Sequence, residues 1–127
     1  MNELEKAIAQ AIAAQGNSKE ANKAYLEFIK ANFIIPIEKN STPDEPRVLY
    51  FEDQGQVFLP VFTNMEFLKR WASEIGDEIQ LLNLSGLNLL KGIGEEITVS
   101  LNIGSELYKE FNPAELNRMK NIILKLF

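Results

Sequence analysis

The chain reads as an α/β (α+β) domain: a single mixed sheet of about five strands, an N-terminal helix pair, two crossover helices and a C-terminal helix. Three observations lead there. Apolar residues recur at helical spacing near both ends of the sequence. Between those ends lie short runs rich in Val, Ile, Leu and Phe, punctuated by Gly, Pro and Asn. Finally, 127 residues, 46% hydrophobic and 24% charged, suffice for one domain with its own core. Residues 1–127 are therefore expected to form a single domain.

Residues 3–14 put Leu4, Ile8, Ala11 and Ile12 at helical spacing, and Gly16 closes the segment. Asn17, three residues before Glu20, is placed as the N-cap of a second helix with the stripe Ala21, Ala24, Tyr25, Phe28 and Ile29. "NFIIPI" (32–37) is a strand that Pro36 confines to an edge or an irregular position. "EKNSTPDEP" (38–46) is a polar loop. "RVLYFE" and "QVFLPVF" flank Asp53-Gln54-Gly55 and predict a β-hairpin. In its second strand both alternating sets, Val57/Leu59/Val61 and Phe58/Pro60/Phe62, are apolar, so both faces should be covered. Pro60 cannot donate to a ladder, which calls for a bulge or an unpaired side there.

A helix over 64–73 follows, then Gly76 and a strand over 78–84. "SGLNLLKG" is a short helix ended by Gly92, "EITVSLN" (96–102) the last strand, and "NPAELNRMKNIILKLF" the final helix, with Leu116, Met119, Ile123 and Leu126 facing the core. Three helix starts share one grammar. Thr63 stands three residues before Glu66 as a capping box, with Phe62 and Phe67 as its hydrophobic staple. Ser85 is bracketed by Leu84 and Leu89. Asn112 precedes Pro113, with Glu115 three residues on and Phe111 and Leu116 as the staple.

Composition excludes several kinds of chemistry. With 13 basic against 18 acidic side chains, a net charge of −5 and no basic run, nucleic acid is not an expected partner. The absence of Cys and His removes disulfides, thiolate nucleophiles, the usual zinc sites and histidine acid–base catalysis. No cofactor is called for. "MNELEKAIAQAIAAQ" lacks a basic region ahead of an apolar stretch, and no apolar run approaches the ~20 residues that span a bilayer. The expectation is a cytoplasmic chain with no membrane partner.

"FIKANFIIP", "LPVFTN" followed by a helix carrying a tryptophan, and "VSLNIGSE" before "FNPAEL" together resemble the SseB N-terminal domain family, named for enhanced serine sensitivity. The likeness runs in order over nearly the whole chain, and "LPVFTNMEFLKRW" is its most specific piece. At Asn102-Ile103-Gly104 the chain departs from the Asn-Pro-x-Gly common in the family. The resemblance supports the fold and leaves the activity open. Because no nucleophile–base pair converges in the sequence, the expectation is a non-catalytic binding or regulatory module acting through a protein partner, with the family name suggesting a link to serine tolerance. The resemblance carries over no catalytic residues. The alternative is a small-molecule-binding domain or a carboxylate-dependent enzyme.

Where such a ligand would sit follows from the strand order. If the strands at 57–62, 78–82 and 97–101 are parallel, joined by right-handed crossovers, their C-terminal ends share one edge. That edge carries Thr63, Asn64, Asn83, Ser85, Asn102, Gly104 and Ser105 as candidate ligand-binding residues, all of types equally favoured as caps and turns. The opposite edge would gather Glu52, Asp53, Asp77, Glu78, Glu95 and Glu96, whose oxygens suit a hard cation but read first as a solvated rim. Trp71 falls on the face of Phe67, Leu68, Ala72 and Ile75 and is assigned to the core. Gly92-Ile93-Gly94 lacks what completes a phosphate loop. The apolar end of the last helix, Leu126 and Phe127, is the candidate partner surface, with a homodimer as the simplest assembly.

Overall fold

The computed structural model describes residues 2–14, 18–42, 44–73 and 78–126. Among them are the helices α1 (Glu3–Ala13), α2 (Ser18–Lys30), α3 (Met65–Trp71), α4 (Gly86–Gly92) and α5 (Pro113–Leu126). The strands are β1 (Asn32–Glu38), β2 (Phe51–Asp53), β3 (Gln56–Val61), β4 (Ile79–Ser85), β5 (Ile97–Leu101) and β6 (Lys109–Phe111). The α+β class holds, but the expected single sheet is two. β1 and β4 form an antiparallel pair, and β2-β3-β5-β6 form a four-stranded sheet in that order. Isolated bridges Ile34–Phe62 and Ile37–Val48 join β1 to the flank of the larger sheet.

α1 begins with a capping box that the sequence reading overlooked. The Asn2 side chain accepts from the Glu5 amide, and the Glu5 carboxylate accepts from the Asn2 amide. Leu4, Ala7, Ile8 and Ala11 are buried at helical spacing, whereas Ile12 lies outside that stripe and is exposed. On α2 the predicted stripe is buried at Ala24, Tyr25, Phe28 and Ile29. Gly16, the Asn17 cap, Ile75 and Gly76 lie outside the described residues.

The hairpin forms around the expected turn, with Phe51 opposite Phe58 and Asp53 opposite Gln56, but its first strand is only Phe51–Asp53 and not the whole of RVLYFE. Its two-residue turn has positive φ at both positions, 51° at Gln54 and 80° at Gly55, the twist that suits a tight hairpin. Pro60 stands opposite Ser100 of β5 but falls where the other flank of β3 has no partner. On that flank β2 stops opposite Phe58, and the next pairing is the bridge at Phe62. The N–H that Pro60 lacks would point into this gap, so nothing is lost. Pro36 solves the same problem on β1, giving only its carbonyl, to the Leu49 amide, on the side away from β4.

β3 is covered on both faces, as its double apolar pattern requires. Leu59 and Val61 join the main core with α1, α2, α4, α5, Phe33, Ile35 and Val99. Phe62 joins a satellite core with Phe67, Leu68 and Leu107, against which Trp71 and Ile103 pack half-buried. β3 and β5 run parallel, Leu59 opposite Val99, as expected. β6 was not foreseen; it pairs antiparallel with β5 and closes that side of the sheet. Leu116, Met119 and Ile123 of α5 are buried as predicted. α4 seats so closely on the end of α2 that a Cβ on Gly86 would lie 1.8 Å from the Phe28 carbonyl oxygen.

Candidate functional site

The run "PVFTN" leaves β3 at Val61 and enters α3 through two polar residues, and the structure gives each a distinct task. Asn64, not Thr63, is the N-cap of α3: its Oδ1 accepts from the Phe67 amide at 2.9 Å, and its backbone is extended. The expected capping box at Thr63 and Glu66 does not form; a simple N-cap takes its place one residue later. Glu66 instead pairs with Arg70 one turn along the helix. The physical reason is a competing partner for the threonine. Thr63 Oγ1 donates to Glu5 Oε2 at 2.6 Å, across 58 positions of sequence.

Around that bond lies a closed set of polar contacts. Asn64 Nδ2 also donates to Glu5 Oε2, at 2.7 Å, and the Asn2 amide donates to Oε1 at 2.8 Å. On the other side of Thr63, Asn102 Oδ1 accepts from the Thr63 amide at 2.9 Å while its Nδ2 donates to Thr63 Oγ1 at 3.1 Å. Asn102 is fully buried at the end of β5 with φ of 55°, a left-handed conformation that Asn tolerates better than most residues. Its amide donates to the Val61 carbonyl, extending the β3–β5 ladder past the last strand residue. Ser105 Oγ donates to the Asn102 carbonyl and accepts from the Leu107 amide, which fixes the turn that follows. Gly104 supplies the φ of 85° in that turn.

Glu5 is the electrostatic centre of the cluster. It is 5% exposed and meets three neutral donors. Burial pushes its carboxyl upward, but the bonds from Thr63, the Asn2 amide and Asn64 outweigh burial and hold it below the ordinary carboxylate value. The charge is solvated by the fold itself.

Of the seven predicted edge residues, Thr63, Asn64, Asn102 and Ser105 are brought together, with Gly104 in the same turn. Asn83 and Ser85 are not. They lie on β4, in the other sheet, where Asn83 faces Ile34 and Ile34 in turn bridges to Phe62. Asn83 thus stands two strand spacings, about 10 Å, from the cluster's edge. Ser85 caps α4 as read, accepting from the Asn88 amide at 3.1 Å. The residues that the sequence reading missed are Asn2 and Glu5. Their signal was present, an Asn three residues before a Glu at a helix start.

The remaining candidates separate in the same way. Asn112 forms the expected reciprocal cap with Glu115, whose carboxylate also accepts from Tyr25 at 2.9 Å. The acidic residues do not converge: among the described residues no group of three His, Cys, Asp or Glu could hold a metal ion, and Asp77 lies outside them. Glu52 and Asp53 end β2, while Glu78 precedes β4 in the other sheet. Trp71 packs on Phe62 at 5.4 Å between ring centres. Phe127 lies outside the described residues. Among the described helices none is long and apolar enough to cross a membrane.

An apolar concavity lies elsewhere, between α3 and β4. Met65, Leu68, Ala72, Ile79 and Leu81 line a groove of about 390 Å³, with Lys69 at its rim. Met65 and Leu81 are 39% and 40% exposed there.

Comparison with known families decides what kind of chain carries this arrangement. The model of the SseB protein N-terminal domain matches residues 4–118. The chain belongs to the SseB N-terminal domain family. The matched span includes Glu5, Thr63, Asn64 and Asn102 and stops short of the last turns of α5. No curated protein and no solved structure matches the chain. For this SseB domain, then, family membership is shown, and its activity must be argued from its own surface.

Proposed function

We propose that this SseB-family domain is a non-catalytic binding module that acts through a protein partner. One observation carries the reading: the polar residues at the strand ends spend their hydrogen bonds on one another, while apolar surface is left open along β4 and α3. Thr63, Asn64 and Asn102 each face a partner inside the fold, and Glu5 is saturated by them. A ligand at that edge would have to break the cap of α3 to be recognised. In the groove between α3 and β4, in contrast, the exposed Met65 and Leu81 offer apolar contact that nothing in the described fold covers. The chain also lacks His and Cys, the commonest proton-transfer and nucleophilic side chains.

A photo-crosslinking residue at Met65 is expected to trap one protein-sized adduct in cells, whereas the same residue at Asn117, exposed on α5, traps none. A thermal-shift panel of amino acids, nucleotides and divalent ions is expected to leave the melting temperature unchanged. Saturable stabilisation by a small molecule, lost in Thr63→Ala, would turn the reading toward a ligand-binding domain. The link to serine tolerance is part of this proposal: a Met65→Arg variant should reproduce the serine-dependent growth defect of a strain lacking the chain. Normal growth of both on serine sinks that link.

A further inference from the structure

We infer that the free edge of β4 is a strand-addition site, and that its occupant is β4 of a second copy of this chain. This rests on the protein-binding reading above and names the partner.

The direction of the backbone groups on β4 follows from its neighbour. Ile34 exchanges hydrogen bonds with Phe62 at 2.8 and 2.9 Å, across the edge of β1 that faces away from β4. On that same edge the Pro36 carbonyl accepts from Leu49 at 3.2 Å, and the Glu38 amide donates to Arg47 at 2.8 Å. In an antiparallel pair, residues that point away from a partner stand opposite residues that also point away. The residues opposite Ile34, Pro36 and Glu38 are Asn83, Leu81 and Ile79. Their N–H and C=O groups therefore form a row directed outward from β4. Among the described residues no strand or bridge pairs with that row.

Edges of this kind are ordinarily blunted by charge, proline, a bulge or a short strand. β4 has none of these: it runs seven residues, IQLLNLS, without a charge or a proline and in unbroken register with β1. The row of outward amides and carbonyls dictates an extended strand as its complement. The strand is also compatible with itself. About a two-fold axis at Leu81, antiparallel pairing sets Leu81 against Leu81 of the other copy and Ile79 against its Asn83, each outward row meeting an outward row. Although each chain carries a net charge of −5, no like charges meet within the strand pair. The two Leu81 side chains, exposed in one copy, come together beside Met65 at the rim of the groove.

Light scattering and a single cysteine test this. Paired residues of this type stand about 5.5 Å apart at Cα, within the usual span of a disulfide. The natural chain has no cysteine, so Leu81→Cys should oxidise to one intermolecular disulfide, while Leu124→Cys on α5 should not. The wild type is expected to reach twice 14.4 kDa with rising concentration. Leu81→Lys should raise its dissociation constant at least about tenfold, the loss of roughly 1.4 kcal/mol, with the melting temperature of the diluted protein unchanged. A dimer that survives Leu81→Lys, or equal cross-linking from both cysteines, overturns the inference. So does a wild type that stays monomeric throughout. A monomer that still yields one foreign adduct from Met65 leaves the binding-module reading standing without self-pairing. A monomer with no adduct removes both.

Discussion

At the scale of single residues, Glu5 ties the first turn of the chain to its middle. A buried carboxylate needs either a cation or several donors. Here three neutral donors suffice, and they come from α1 itself and from the β3–α3 corner. Glu5→Gln would turn one acceptor oxygen into a donor facing other donors. The expected loss is about 1–3 kcal/mol at neutral pH, measured by denaturant unfolding. The carboxyl sits below 4.5 in the folded state, so its stabilisation is present above that value and fades as pH falls through the lower folded value. Wild type should lose stability on acidification below about 4.5 more steeply than Glu5→Gln. Equal slopes would mean that Glu5 is not held in this way. Half of this was legible in the sequence. Asn2 and Glu5 form a local pattern that any helix reading can find, but the bond to Thr63 joins residues 58 positions apart, and nothing in the spacing announces it.

At the scale of elements, most helix starts and the β2–β3 and β3–β5 pairings were readable, whereas the partners of β4 and β6 were not. Ser85 and Asn112 cap their helices as their sequences dictate, because the donors they satisfy are within four residues. The α3 cap slipped by one because Thr63 and Asn64 are both good caps, and a distant carboxylate took the threonine. Asn64→Ala removes the cap and a bond to Glu5 together, so it should cost about 2 kcal/mol, against about 1 kcal/mol for Ser85→Ala. Equal losses would show that the bond from Asn64 to Glu5 contributes nothing. β6 escaped notice because it spans only three residues, Lys109–Phe111, two of them charged, Lys109 and Glu110. The pairing of β4 with β1 is a choice of neighbour that helix spacing cannot reveal. Gly86 shows the same limit from the packing side. It looks like a helix-start glycine, yet the Phe28 carbonyl leaves no room for a Cβ. Gly86→Ala must displace α4 from α2, and a loss of about 1–3 kcal/mol or more is expected in thermal unfolding.

At the scale of the whole molecule, the buried side chains fall into two cores of unequal size. The main core draws on four helices and both sheets, whereas the satellite core rests on Phe62, Phe67, Leu68 and Leu107, with α3 supplying its buried helical side chains and Ala9 of α1 packing on its edge. Free energy of local opening follows buried apolar contact, so α3 should open before the main core does. Its tie to the rest of the fold is the same corner that Glu5 organises, through Asn64 and Thr63. The chain carries a single tryptophan, and Trp71 packs against Phe62 within this satellite. Its fluorescence therefore reports the small core, while far-UV circular dichroism is dominated by α1, α2 and α5. Phe67→Ala deletes a buried ring of the satellite and none of the main core. The expected outcome is a fluorescence transition that moves to lower denaturant by more than the dichroism transition, with faster hydrogen exchange at the Leu68–Trp71 amides and little change at Val99 and Leu101. Coincident transitions in that variant, with exchange accelerated equally in β5, would show that the two cores unfold as one unit.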